Sequence, residues 1–144
     1  MFRFVVRRLR WLARIPGFPQ FFDAALLVWT ALWHRPRLAA MEALEAAMSQ
    51  MTGIQLGVHR LGGIEFHLGG SEIAHLHGNG LLDVLLNRQQ RDAVISNGHA
   101  QPHHMFPNST WVSFWLRDSS DVAGALSLLT AATKIRDAAT TSKH

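Results

Sequence analysis

His67, His75, His77, His103 and His104 lie in one stretch of the chain, between positions 67 and 104, and they concentrate its capacity for proton transfer and metal binding. In Glu72-Ile73-Ala74-His75-Leu76-His77 the two imidazoles are two residues apart, so an extended strand turns both to the same face of a sheet. His103-His104, directly after Pro102, forms a second group. Two chemistries fit. One imidazole can remove a proton from an acidic substrate while a neighbour holds the anion, with Asp83 or Glu72 orienting the base and no metal required. Alternatively His75, His77, His103 and His104, with a carboxylate such as Glu72 or Asp83, can hold zinc, iron or manganese. The metal-free scheme is the preferred expectation. Any one of these histidines alone reads more simply as a hydrogen-bonded residue at a strand end; the grouping carries the argument.

The elements that must position these groups follow from pattern. A chain of 144 residues is one domain in size, and 48% hydrophobic content is enough for a core. Cysteine is absent, which excludes disulfides, thiolate metal sites and cysteine nucleophiles. Residues 38–51 predict a helix with Leu38, Met41, Leu44, Met48 and Met51 on one face. From Ile54 the pattern changes to short apolar runs separated by glycines: 54–61, 64–68, 72–77 and 81–86, read as a meander. A short helix over 88–96 and a strand over 110–117 follow. Asp118 to Asp121 supplies a helix N-cap for 122–135. The fold class expected is α+β: an antiparallel sheet, a meander plus a C-terminal strand pair, covered on one face by helices.

Charge divides the chain. Residues 1–37 hold Arg3, Arg7, Arg8, Arg10, Arg14, Arg35 and Arg37 against Asp23 alone, while the remainder is net acidic. Basic character confined to one arm argues against a nucleic-acid-binding domain, so no nucleic acid is expected as partner. Residues 2–15 predict an amphipathic helix, and Phe21 to Trp33 is apolar nearly all the way round. Those thirteen residues reach roughly 20 Å, short of the ~30 Å hydrocarbon core, so an interfacial anchor on an anionic membrane fits better than a span. The expected division is a separate helical arm over 1–37, a domain over 38–136, and a frayed tail over 137–144. Peripheral or monotopic attachment on the cytoplasmic side follows, or else a cytoplasmic location.

Ser71 to Gly78, Asp83, the stretch from Arg91 to Gly98, Pro102-His103-His104, Trp111-Val112-Ser113-Phe114 and the helix at 121–129 resemble the luciferase-domain family of bacterial proteins and fungal luciferases. The resemblance covers about residues 53–135. It implies a small oxygenase that uses molecular oxygen on an enolic or aromatic, apolar small molecule, as the fungal enzymes oxidise an enolic α-pyrone. It also agrees with an N-terminal membrane attachment. On that reading His75 or His77 is the base, His103 and His104 stabilise an anion or peroxide, Glu72 or Asp83 orients, and Trp111, Phe114 and His67 line the substrate. A non-catalytic ligand- or metal-binding module is the alternative.

Overall fold

A computed structural model describes residues 18–59 and 62–141; the amphipathic helix expected over 2–15 lies outside them. Two helices lead. Helix α1 (Phe18–Trp33) stops at His34, and α2 (Arg35–Ser49) restarts at once, with a proline in its first turn where no N–H is needed. Then come β1 (Ile54–Val58), β2 (Ile64–Leu68), β3 (Ser71–Leu76) and β4 (Leu81–Leu85). Helix α3 (Arg88–Ser96), capped by the Asn87 side chain, leads to β5 (Gln101–Pro102) and β6 (Trp111–Trp115). A 3₁₀ turn (Ser119–Asp121), capped by Asp118, opens α4 (Val122–Thr141). With no glycine or proline after Gly124, α4 runs past the point where the tail was expected to fray.

The strands form one antiparallel sheet in the order β1-β2-β3-β4-β6-β5. The first four are the meander that the glycine punctuation predicts, and β6 with β5 is the strand pair. Fold class is α+β, as the pattern indicates.

Register divides the sheet into two faces. Phe66, Ala74, Val84 and Val112 stand in line across β2, β3, β4 and β6, with Leu76, Leu82 and Phe114 in the adjacent row. This face packs on α2 and α4, and Leu44, Met48, Ala125 and Leu129 complete the buried core. On the opposite face Glu65, His75, Asp83 and Ser113 stand in line across the same four strands. Apolar residues on one face and ionisable ones on the other are what period-2 alternation dictates for a sheet covered on one side.

One irregularity changes that alternation. The β2–β3 register shifts between Phe66 and His67, so Phe66 pairs with Ala74 while His67 pairs with Glu72. Ile73 is the extra residue, and its side chain enters the core. Glu72 is thereby turned to the face of His75 rather than to that of Ala74 and Leu76.

Helix α1 is inverted in polarity. Asp23 and Thr30 are buried, whereas Phe21, Val28, Trp29, Leu32 and Trp33 are exposed, with Trp29 stacked on Trp33. The helix lies within the stretch assigned to the arm, and it meets the sheet at the β3–β4 turn. There the Gly78 N–H donates to Asp23 Oδ1 at 2.9 Å. A Cβ on Gly78 would stand 2.5 Å from the Asp23 carbonyl oxygen, so only glycine permits this approach.

Candidate functional site

Asp83 is the centre of the ionisable face. Its side chain is fully buried, in the middle of β4, and a buried carboxylate persists only when it is paired and hydrogen-bonded. Asp83 Oδ1 accepts from the Ser113 hydroxyl, its neighbour across the β4–β6 ladder. Asp83 Oδ2 has four imidazole nitrogens around it: His75 Nε2 and His77 Nε2 at 3.2 Å, His103 Nε2 and His104 Nδ1 at 3.4 Å. Burial alone raises its pKa, but hydrogen bonds from His103, His104, His75 and His77 outweigh that and hold the carboxyl far below the usual carboxylate range.

Each histidine arrives by a different local device. His75 is on β3 beside Asp83, by register. His77 lies just past β3, where its backbone still bonds Leu81. His103 and His104 leave edge strand β5, and the His104 N–H donates to Ser113 Oγ at 3.3 Å. The Nδ1 atom of His103 accepts two backbone N–H bonds, from Met105 at 3.1 Å and Phe106 at 3.0 Å. A neutral imidazole that accepts at Nδ1 carries its proton on Nε2, so His103 presents an N–H to Asp83.

His75 and His77 each lie between two carboxylates. The Nδ1–H of His75 donates to Glu72 Oε1 at 2.7 Å while Nε2 faces Asp83. Burial works against the charged imidazole, yet the bonds to Asp83 and Glu72 prevail and raise its pKa. His77 has Asp83 on Nε2 and Asp23 Oδ1 3.6 Å from Nδ1. For His77 the same opposition, burial against Asp23 and Asp83, leaves the pKa pushed up to about 9. In turn Glu72 is held below its ordinary value: its own burial opposes this, and His75 prevails.

A further histidine belongs here. His59 directly follows β1, stacks on His75 with ring centroids 4.3 Å apart, and has Nε2 3.9 Å from Glu72 Oε1. Burial, aided by the neighbouring His75, lowers its pKa and so favours its neutral form. Sequence reasoning missed both His59 and Asp23. His59 sits outside the histidine-rich stretch, and Asp23 reads as an interruption in an apolar run. Only its solitary charge in that run signalled a buried role.

The structure thus brings together His75, His77, His103, His104, Glu72 and Asp83. Trp111 joins them, its ring 5.4 Å from His75 and 6.3 Å from His103. His67 is on the same face but further out, bonded to Glu65. The placement of Phe114 in the substrate wall is corrected: β6 alternation puts its ring on the helix-covered face, against Gly124 of α4.

Residues 70–132 match the family model of the luciferase domain. This stretch is similar to the luciferase domain. No curated protein and no solved structure matches the chain significantly. The matched stretch runs from β3 into α4, so it includes Glu72, His75, His77, Asp83, His103, His104 and Trp111. Asp23 and His59 are supplied from outside it. The similarity therefore falls on the stretch that carries most of the ionisable cluster.

Proposed function

We propose that the ionisable face is the active site of a small oxygenase-like enzyme that oxidises an apolar enolic or aromatic molecule with molecular oxygen. The observation that carries this reading is the convergence of four imidazoles on buried Asp83 beside Trp111, within the stretch similar to the luciferase domain. An enol becomes reactive toward oxygen once deprotonated, so the protein must take a proton, hold an anion and exclude water.

His59 is the base in this scheme, because its lowered pKa favours the neutral imidazole that can take up a proton and Glu72 lies beside it. His75 and His77, whose charged forms are favoured, set positive charge beside the enolate instead. The electron-rich carbon of the enolate then forms a bond to oxygen and gives it two electrons, which produces a peroxide anion. The proton held by His59 returns to that peroxide. Substrate and oxygen combine into one hydroperoxide, with no atom left over. Trp111 supplies an apolar wall.

Oxygen uptake by the purified chain on a panel of enolic pyrones and polyphenols tests the reading. Uptake that falls 100-fold or more, on the order expected for losing a general base, in His59→Gln supports it. A panel that the folded protein leaves unoxidised overturns it.

Attachment to an anionic membrane surface forms part of the same proposal. Helix α1 supports it by exposing Phe21, Val28, Trp29, Leu32 and Trp33 while burying Asp23 and Thr30, the reverse of a helix facing water. Arginines in residues 1–37 supply attraction to lipid phosphates. Among the described residues no helix is long and apolar enough to cross a membrane. An apolar substrate dissolved in lipid would meet the site from there.

A further inference from the structure

We propose that His75, His77 and Asp83 form a binding site for one divalent first-row transition metal ion, of the iron(II) or zinc class. The site is an inference separate from the oxygenase reading and stands or falls by its own measurement.

Spacing is the first argument. His75 Nε2 and His77 Nε2 each lie 3.2 Å from Asp83 Oδ2, and the three donors are within 4.8 Å of one another. Ligand atoms about 2.0–2.2 Å from a shared ion stand about 2.8–3.6 Å apart, whether the arrangement is octahedral or tetrahedral. A charge-assisted N–H···O bond, by contrast, closes to about 2.7–2.9 Å. The His75 bond to Glu72, at 2.7 Å, is of that length; the contacts to Asp83 Oδ2, at 3.2–3.4 Å, are longer. Four imidazoles also crowd this one oxygen, more than its lone pairs can direct themselves toward.

The second argument is the outer ring of partners. Metal-bound imidazoles usually donate their other N–H to a carboxylate, which fixes ring and tautomer. His75 Nδ1 does this to Glu72, and His77 Nδ1 faces Asp23. Each ring is therefore held with Nε2 turned toward Asp83.

Tautomers decide between competing sets. Asp83, His103 and His104 are also close enough to share an ion, as are His59, Glu72 and His75. His103 fails as a ligand, because its Nδ1 is occupied by two backbone N–H groups and its proton sits on Nε2. The His59 set would need His75 Nδ1, which is already bonded to Glu72 at close range. His75, His77 and Asp83 remain. Two histidines and one carboxylate leave coordination positions open, a set that suits iron(II), and His104 Nδ1 near the same oxygen is a fourth donor that suits tetrahedral zinc.

The test is metal binding to the full chain. Protein stripped with a chelator and kept anaerobic is titrated with iron(II) and, separately, with zinc; the ion-to-protein ratio after desalting and the melting temperature are both read. One ion per chain with a raised melting temperature is expected. His77→Ala and Asp83→Ala should each weaken binding more than 100-fold. His103→Asn, which alters only an outer partner, should weaken it no more than 10–100-fold while keeping one ion per chain. Glu72→Gln guards against misfolding in the ligand variants: its fold does not depend on removing a ligand, and it too should lose 10–100-fold. Folded wild-type chain that retains neither ion overturns the site, as does unchanged affinity in Asp83→Ala. Oxygen uptake separates the two proposals. An ion bound without uptake leaves this site standing and removes the oxygenase; uptake by a chain that retains neither ion in the titration does the reverse.

Discussion

Glu72 reaches His75 because Ile73 is an extra residue in their strand. Three positions apart on a regular strand, the two side chains would face opposite ways; the bulge opposite Phe66 and His67 lets the carboxylate accept from His75 Nδ1 at 2.7 Å. The bulge thus converts a sequence neighbour into an electrostatic partner. Glu72→Ala should lower the pKa of His75, since one of the two bonds favouring the imidazolium is gone. An NMR titration of the imidazole in metal-free protein checks this. A titration that does not move would mean that Asp83 alone governs His75.

Asp83→Leu removes the oxygen on which four imidazoles converge. The raised proton affinity of His77 leaves a buried positive charge without one of its two carboxylate partners, so a loss of about 3–5 kcal/mol at neutral pH is expected for the metal-free chain. Urea unfolding measures it. A variant as stable as the wild type would show that the carboxylate gives the cluster no net stability.

Stability should depend on pH through His77. Its pKa is about 9 in the folded chain, above its ordinary value of 6.5, so the folded state binds the proton more tightly than the unfolded state does. That contribution is complete below about 6.5 and is lost as pH rises through 9. Metal-free protein should therefore lose a few kcal/mol between those limits, on the order expected for such a shift. The loss should shrink in His77→Gln.

Trp111 and Phe114 should separate function from packing. Trp111→Ala is expected to reduce turnover with little effect on melting, because its ring borders the histidines on the face away from the core. Phe114→Ala should do the opposite and cost about 3 kcal/mol, as its ring packs on the core beside Gly124. Comparing chemical denaturation with oxygen uptake for the pair tests which face carries the chemistry.

Gly78→Ala should push α1 away from the sheet. The added methyl group would overlap the Asp23 carbonyl and stand 2.8 Å from Leu27 N. Withdrawal of Asp23 removes one carboxylate from His77, so the pKa of that histidine is expected to fall alongside a loss of about 1–3 kcal/mol in stability. Imidazole titration and thermal melting read the two effects. An unshifted His77 would mean that the helix does not hold Asp23 at the site.

By itself the sequence determined the elements and much of the cluster. Glycine punctuation set the meander, and β2 and α3 begin and end where the pattern places them. Two-residue spacing put His75 and His77 on one side, because side-chain direction in a strand is a local property. The tertiary structure decided what local rules cannot see. It placed Phe114 on the core face, since alternation says that Trp111 and Phe114 oppose each other but not which of them meets the helices. Asp23 arrives from 55 residues away through a contact that a glycine permits, and His59 through the order of strands in the sheet. Neither leaves a periodic trace. The bulge at Ile73 is the plainest case: only pairing with β2 reveals that one residue is extra, and that residue sets which way Glu72 points.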